Sequence, residues 1–283
     1  MISDNTTTLI DTFEVNHPNL AQRFTFSSSG QLDTIAATIR TNGLETYEAP
    51  TTNIIIELVK SSSGLVLDVG ANTGLFTLVA TAANPLIRAC AFEPLENIRE
   101  LLKANIALNP ELAPRIAIEP VGLSNGRGTF SFYETINNLG FVTTSSSLEK
   151  AHAERIGDLY IERTIETRTL DEFGETLGNV SVPFIKIDVE RHEHAVITGG
   201  RRFIAKHRPF LTLEVLIEAD TSSLNQLLIQ SNYLALAMAS SELRQCERLR
   251  FHSDAWNHLL VPAEKAERLF SLCRRLGLQI KIC

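Results

Sequence analysis

Leu65-Val66-Leu67-Asp68-Val69-Gly70-Ala71-Asn72-Thr73-Gly74-Leu75-Phe76 is the stretch on which the reading of this chain turns. A short apolar run predicts a buried strand, a glycine turn ends it, and an apolar helix over 75–83 starts at once. At Gly70 the missing Cβ lets the backbone turn tightly and approach a ligand; Gly74 allows close packing at the helix start.

Outward from the loop, the spacing predicts a helix over 52–60 before it. A strand over 88–92, a helix over 95–108 and a strand over 115–118 are expected after it. This β-α-β-α-β order signals a parallel sheet with right-handed crossovers. The rhythm breaks over 122–180. There, strands are expected near 129–133 and 164–170, with a Gly- and Ser-containing loop over 137–147 and a short helix opened by Asp171. It resumes with a strand over 184–188, a helix from about His192 to Lys206 and a strand over 210–215. Near the end, Pro262 is expected to start a helix that Gly277 closes. The expected fold is α/β and Rossmann-like, with a mainly parallel central sheet and helices on both faces. Residues 1–43, rich in Thr, Ser and Asn, read as an accessory extension. The main domain is expected over 44–283, with 122–180 as an insertion near the ligand face.

Two nucleotide cofactors compete for the glycine turn. Dinucleotide sites favour G-x-G-x-x-G, because a pyrophosphate needs amides at a helix N-terminus. Here the pattern is D-x-G-x-x-x-G, with Asp68 at the strand end. An acid there opposes a diphosphate and suits a ligand carrying an ammonium or sulfonium group, which points to S-adenosylmethionine. Glu93 ends the next strand, 19 residues after Gly74, where a carboxylate can accept from both ribose hydroxyls. The expected cofactor residues are Asp68, Gly70, Ala71, Asn72 and Gly74 of the loop, Glu93 and Pro94, and the Val121-Gly122 turn. Asp68 and Gly70 are assigned to the methionine part and Val121-Gly122 to the adenine. Taken alone, the loop also fits a tight βα turn in which Asp68 caps the helix.

Phe184-Ile185-Lys186-Ile187-Asp188-Val189-Glu190 is the second informative stretch. Lys186 and Asp188 share one strand face, and charges at the end of a buried strand are costly unless paired or set in a ligand crevice. Asp188, Glu190 and Lys186 are therefore candidates for the reaction side; a Lys186–Asp188 ion pair with a helix cap is the purely structural alternative. His194 lies four residues after Glu190 and is a further base candidate. His192 and His194 raise a metal reading, but the ligand set is incomplete and no metal is expected. Arg201-Arg202 and Lys206-His207-Arg208 read as a solvated face.

Bulk properties narrow the partners. Across 283 residues the formal net charge is -7, which argues against broad phosphate contact and hence against nucleic acid. The four cysteines show no close spacing, so neither a disulfide framework nor a zinc site is expected. No apolar stretch reaches the ~20 residues that span a bilayer, and the amino terminus lacks a signal-type segment. A cytoplasmic protein acting on a small molecule is expected, its oligomeric state unspecified.

Taken together, these residues resemble the FkbM family of methyltransferases. The DVGAN-x-G pattern matches Asp68 to Gly74, and AFEP matches Ala91 to Pro94. K-I-D-V-E-G-x-E corresponds to Lys186–Glu193, followed by Gly199, Arg208-Pro209 and Glu214. Residues 137–148 look like the family's Gly- and Ser-containing loop. The resemblance covers about 44–216 and implies a class I methyltransferase fold and O-methylation of sugars or other natural-product hydroxyls. One departure stands out: Arg191 occupies the position of the family's usual glycine. A protein side chain as acceptor, a nicotinamide-dependent oxidoreductase and a non-catalytic binding module are the competing expectations.

Overall fold

The computed structural model describes residues 11–27, 33–136, 146–156 and 159–282. A hairpin of β1 (Thr12–Val15) and β2 (Phe24–Ser27) precedes α1 (Thr34–Asn42), which Asp33 caps by accepting from the amides of Ile35 and Ala36. α2 (Thr51–Lys60), β3 (Gly64–Val69), α3 (Leu75–Ala83), β4 (Ile87–Phe92), α4 (Glu96–Ala107) and β5 (Ile116–Glu119) follow with boundaries close to those expected.

The interrupting segment forms its own three-stranded sheet, ordered β6 (Gly122–Leu123), β8 (Leu159–Arg168), β7 (Gly128–Ile136); α5 (Lys150–Ile156) lies between β7 and β8 in sequence. Most of the expected 137–147 loop lies outside the described residues. α6 (Leu170–Thr176) is started by Thr169 through a capping box with Glu172 rather than by Asp171. Asp171 serves another helix. After β9 (Phe184–Ile187) the expected single helix is two, α7 (Glu193–Thr198) and α8 (Arg201–His207). Asp171 Oδ1 accepts from the Phe203 amide at 2.7 Å, so α8 has a separately satisfied N-terminus, as an independent helix requires.

β10 (Phe210–Glu214) is followed by residues unassigned from the sequence: α9 (Ser222–Ser231), β11 (Tyr233–Ala239), β12 (Glu242–Cys246) and β13 (Asn257–Pro262). Pro262 closes β13 instead of opening a helix; a 3-10 turn separates it from α10 (Ala266–Leu276), and β14 (Gln279–Ile282) ends the described chain. Gly277 terminates α10 with φ 66°, as expected.

The main sheet among the described residues has the order β14-β12-β11-β13-β10-β9-β3-β4-β5. β10, β9, β3, β4 and β5 run parallel, whereas β13 is antiparallel to both β10 and β11. Strand side chains alternate between two apolar layers. Val66, Phe184 and Phe210 pack on one face with residues of α2, α3 and α10, while Leu67, Ile185 and Leu211 pack on the other with α6, α7, α8 and α9. The N-terminal segment joins the first layer: Phe24, Phe26, Ile35 and Ile39 belong to the same cluster as Leu78 and Val79. It is also bonded to the cofactor-loop region. Asn105 accepts from the Ser27 amide at 2.9 Å and donates to the Thr73 carbonyl at 2.8 Å.

Candidate active site

The chain reverses direction across the sheet at β3, whose neighbours are β4 on one side and β9 on the other. At such a switch point the loops leaving the strand ends part and open a crevice. A cavity of about 320 Å³ lies there, lined by residues at the ends of β3, β4, β9 and β10.

One wall comes from the glycine turn and Glu93. Gly70 sits at φ 80°, and a Cβ there would stand 1.9 Å from the Asp188 carbonyl oxygen, so the position tolerates only hydrogen. Gly70, Ala71, Asn72, Glu93 and Pro94 line the cavity. Each Glu93 oxygen is fixed by a backbone amide, Oε2 by Asn72 and Oε1 by Leu95, both at 3.0 Å. Burial raises the Glu93 carboxyl to about 7 despite those bonds. A buried carboxylate held by two amides still has lone pairs for a diol. Beside it, Phe92, Leu95, Ile98, Phe132 and Ile165 supply apolar surface for a flat ring. These groups fit the ribose and adenine of S-adenosylmethionine.

Three expected cofactor residues stand behind this wall. Asp68 is 1% exposed and does not line the cavity; its Oδ2 accepts from Thr77 Oγ1 of α3 at 2.6 Å, and its Oδ1 has no partner among the described residues. Burial raises its pKa. Gly74 begins α3 at φ 94°, where a Cβ would meet Leu102 Cδ1 at 2.4 Å. Val121 packs against the apolar layer beneath, while Gly122 reaches the cavity.

The opposite wall is acidic. Asp68, Lys186 and Thr212 are register partners on adjacent strands, and by alternation Asp188 and Glu214 share the same face two residues further on. The Lys186 ammonium donates to Asp188 Oδ2 at 2.8 Å and lies 4.6 Å from the centre of the Phe76 ring. Burial works against its charge, but Asp188, Asp68 and Glu48 outweigh it and hold the ammonium above the ordinary lysine value. Carboxylate oxygens of Asp188, Glu190 and Glu214 lie within 4.8 Å of one another, a spacing a cation could bridge. Burial first, and then the charge of Asp188, pushes Glu190 well above the usual carboxylate range and Glu214 to about 10.

His194 does not line the cavity. Its Nδ1 lies 3.3 Å from the Arg191 carbonyl, and its ring meets His192 edge-on at 5.5 Å. His192 instead bridges Glu149 Oε1 at 2.8 Å and Ser124 Oγ at 3.0 Å. Arg191 adopts φ 77°, the left-handed region that glycine occupies without strain, which accounts for the family's usual residue at this position.

Several wall residues carry no recognisable sequence signal. Glu48 approaches from the turn before α2 and accepts from Asn257 Nδ2 of β13 at 3.2 Å; burial raises it to about 7. Ile35, Tyr47 and Trp256 complete that side. The Glu48–Asn257 bond joins residues 209 positions apart, beyond the reach of any local motif. Among the described residues, no helix is long and apolar enough to cross a membrane.

Residues 68–238 match the family model described as the methyltransferase FkbM domain. Among curated proteins, the AMB antimetabolite synthetase AmbE of Pseudomonas aeruginosa is 30% identical over a stretch covering 50% of this chain and 8% of that protein. The methyltransferase sdnD of Sordaria araneosa is 32% identical, covering 46% of this chain and 45% of its own length. The chain thus spans less than half the length of these curated relatives. The crystal structure of methyltransferase FkbM from Methylobacillus flagellatus aligns at 18% identity and TM-score 0.45, over 70% of this chain and 43% of that one.

Proposed function

The chain belongs to the FkbM methyltransferase family, whose methyl donor is S-adenosylmethionine, and we propose that it methylates a hydroxyl of a sugar or another small natural product. One observation carries this reading: the glycine turn and Glu93 share a single cavity with Asp188 and Glu190. A donor pocket and a set of acid–base groups are thereby within reach of one bound acceptor. Family membership counts against the nicotinamide alternative, and the net charge of -7 favours a small acceptor over nucleic acid.

When bound, S-adenosylmethionine supplies a methyl group on a positively charged sulfur, open to in-line displacement. The protein's part is alignment, exclusion of water and removal of a proton. In the proposed division of roles, Glu93 accepts from the ribose hydroxyls and Gly122 borders the adenine. Gly70, Ala71 and Asn72 lie along the methionine part, and Pro94 shapes the wall beside Glu93. Asp68 acts through the loop, tying β3 to Thr77, and Gly74 and Val121 act through packing. Lys186 orients Asp188, which steers the acceptor toward the donor methyl. Glu190 is the proposed base, favoured over His194 because it lines the cavity and His194 does not. On this reading α1 is a working part of the catalytic domain, since its Ile35 belongs to the cavity wall.

The test is incubation with methyl-labelled S-adenosylmethionine and a fractionated cell extract, followed by mass spectrometry. Label in a small hydroxylated product that gains one methyl group supports the proposal. Label confined to protein moves the acceptor to a side chain, and no label in any fraction overturns the transfer itself.

A further inference from the structure

We propose that Glu149, His192 and His194 form a site for a zinc-type divalent transition-metal ion, which clips the interrupting segment to the start of α7. The site stands apart from the methyl-transfer reading. In the sequence the two histidines lack a third ligand; the fold supplies Glu149, 43 positions before His192 and just ahead of α5. One ligand atom from each of the three residues lies within 4.8 Å of the other two. The His192 side chain is 13% exposed and that of Glu149 38%. The cluster is thus half screened from water and open on one side, as entry of an ion with a water ligand requires. The segment is already fastened there: Ser147 Oγ accepts from the Glu149 amide at 2.9 Å and donates to the Glu190 carbonyl at 2.5 Å.

The bonds of both imidazoles favour ligation. His194 Nδ1 faces the Arg191 carbonyl at 3.3 Å, and a carbonyl only accepts, so Nδ1 carries the proton and Nε2 keeps its lone pair. A second ring nitrogen fixed on a carbonyl is how ligating histidines are held. His192 Nδ1 stands 2.8 Å from Glu149 Oε1. Without an ion a proton fills that gap, because a bare nitrogen lone pair would oppose the carboxylate. The metal takes the proton's place and releases it to water, and about 0.5 Å of opening brings the pair to tetrahedral ligand spacing. Ser124 Oγ, 3.0 Å from His192 Nε2, either donates or accepts and so serves both states. Arg191 also faces Glu149, but its Nη2 is bonded to the Glu218 carbonyl at 2.8 Å. Two imidazoles and one carboxylate select a transition metal over magnesium or calcium. Asp188, Glu190 and Glu214 offer oxygen alone, and Asp188 is already bonded to Lys186. None of the three proposed ligands lines the cavity, whereas Leu148 and Glu190, on the same two segments, do. The ion therefore fixes the wall and does not touch the reacting atoms.

The experiment strips the full chain with a chelator and titrates it with Zn2+ against a chromophoric zinc indicator, and with Mg2+ in parallel. One equivalent of Zn2+ is expected to bind with a Kd of about 1 µM or below. Mg2+ should bind at least about a hundredfold more weakly. His192→Ala and His194→Ala should each weaken Zn2+ at least about a hundredfold, and Glu149→Gln at least about tenfold. Asp188→Asn should leave Zn2+ affinity within about threefold, since its carboxylate belongs to the other cluster. Saturating Zn2+ should raise the melting temperature by about 3 °C or more in the parent chain and by less than about 1 °C in His194→Ala. A Kd weaker than about 100 µM overturns the site. Undiminished binding in either histidine variant overturns it too, and a large loss in Asp188→Asn would place the ion among the carboxylates instead. Should the alanine variants fail to fold, His194→Gln and Glu149→Gln decide: weakened Zn2+ in both supports the site, and unchanged affinity in either overturns it.

Discussion

The two walls of the cavity are built on different principles. The proposed donor wall is local and made largely by backbone: Gly70, Asn72 and Glu93 lie within two successive strand–turn units, and Glu93 is held by two main-chain amides. The proposed acceptor wall is assembled from distant pieces. Glu48, the Asp188–Glu190 loop, Glu214 and Asn257 come from four separate parts of the chain, and Asp188 and Glu48 bring negative charge to Lys186. A backbone-made wall tolerates almost no change in shape, whereas a wall of side-chain charges depends on the balance of its ionisations.

The largest effect should come from the point where the walls touch. Gly70→Ala places a Cβ against the Asp188 carbonyl, an atom that cannot move aside cheaply. We expect S-adenosylmethionine affinity to fall at least about a hundredfold, with a lower melting temperature, measured by calorimetry and thermal unfolding. Near-normal binding would show that the turn is looser than this geometry.

Glu93→Gln and Asp188→Asn should then separate the walls. The first is expected to weaken donor binding by about ten- to a hundredfold, the range for one or two charge-assisted hydrogen bonds. The second should leave donor affinity within about threefold while lowering kcat at least about tenfold. If both variants act on donor affinity alike, the division into two walls fails.

The pH response should expose the acidic crowding. Burial raises Glu93 and Glu48 to about 7 and Glu193 to about 8 in the folded chain. The folded state therefore binds more protons than the unfolded state between about pH 4.5 and 8, and stability falls as pH rises through that window. The ligand-free protein should melt about 5 °C lower at pH 8 than at pH 6, with the difference reduced in Glu93→Gln. A melting temperature that rises over the same interval would contradict these shifts.

The smallest expected effect concerns the loop beside the acceptor wall. Arg191→Gly relieves a left-handed conformation and forfeits one exposed bond, from Arg191 Nη2 to the Glu218 carbonyl at 2.8 Å. The net change should be a gain of about 1 kcal/mol or less, read by denaturant unfolding. A clear loss would mean that the arginine contributes more through its contacts than its backbone costs.

Much of the architecture was legible because its signals are local. The strand–glycine turn–helix unit at 64–83 and the strand at 184–187 follow from contiguous apolar runs and their punctuation. The helix expected over 192–206 divides because Asp171, from another element, caps α8. Pro262 looked like a helix start but closes a strand, since its neighbours Leu259, Leu260 and Val261 are drawn into the sheet. Residues 1–43 read as accessory because they are rich in Thr, Ser and Asn, yet Phe24, Phe26 and Ile39 are buried in the same cluster as Leu78 and Val79 of α3.

The sequence by itself determined the parallel βα frame, the donor loop and the acid that follows it, because each is a run of neighbouring residues whose chemistry needs that spacing. Tertiary structure alone decided which groups line the cavity opposite the glycine turn. It withdrew Asp68 and His194 from the cavity, brought Glu48 to Asn257, and set Glu149 against His192. Those outcomes depend on long-range packing and on burial, which sets the charge each carboxylate carries, and no local spacing encodes either.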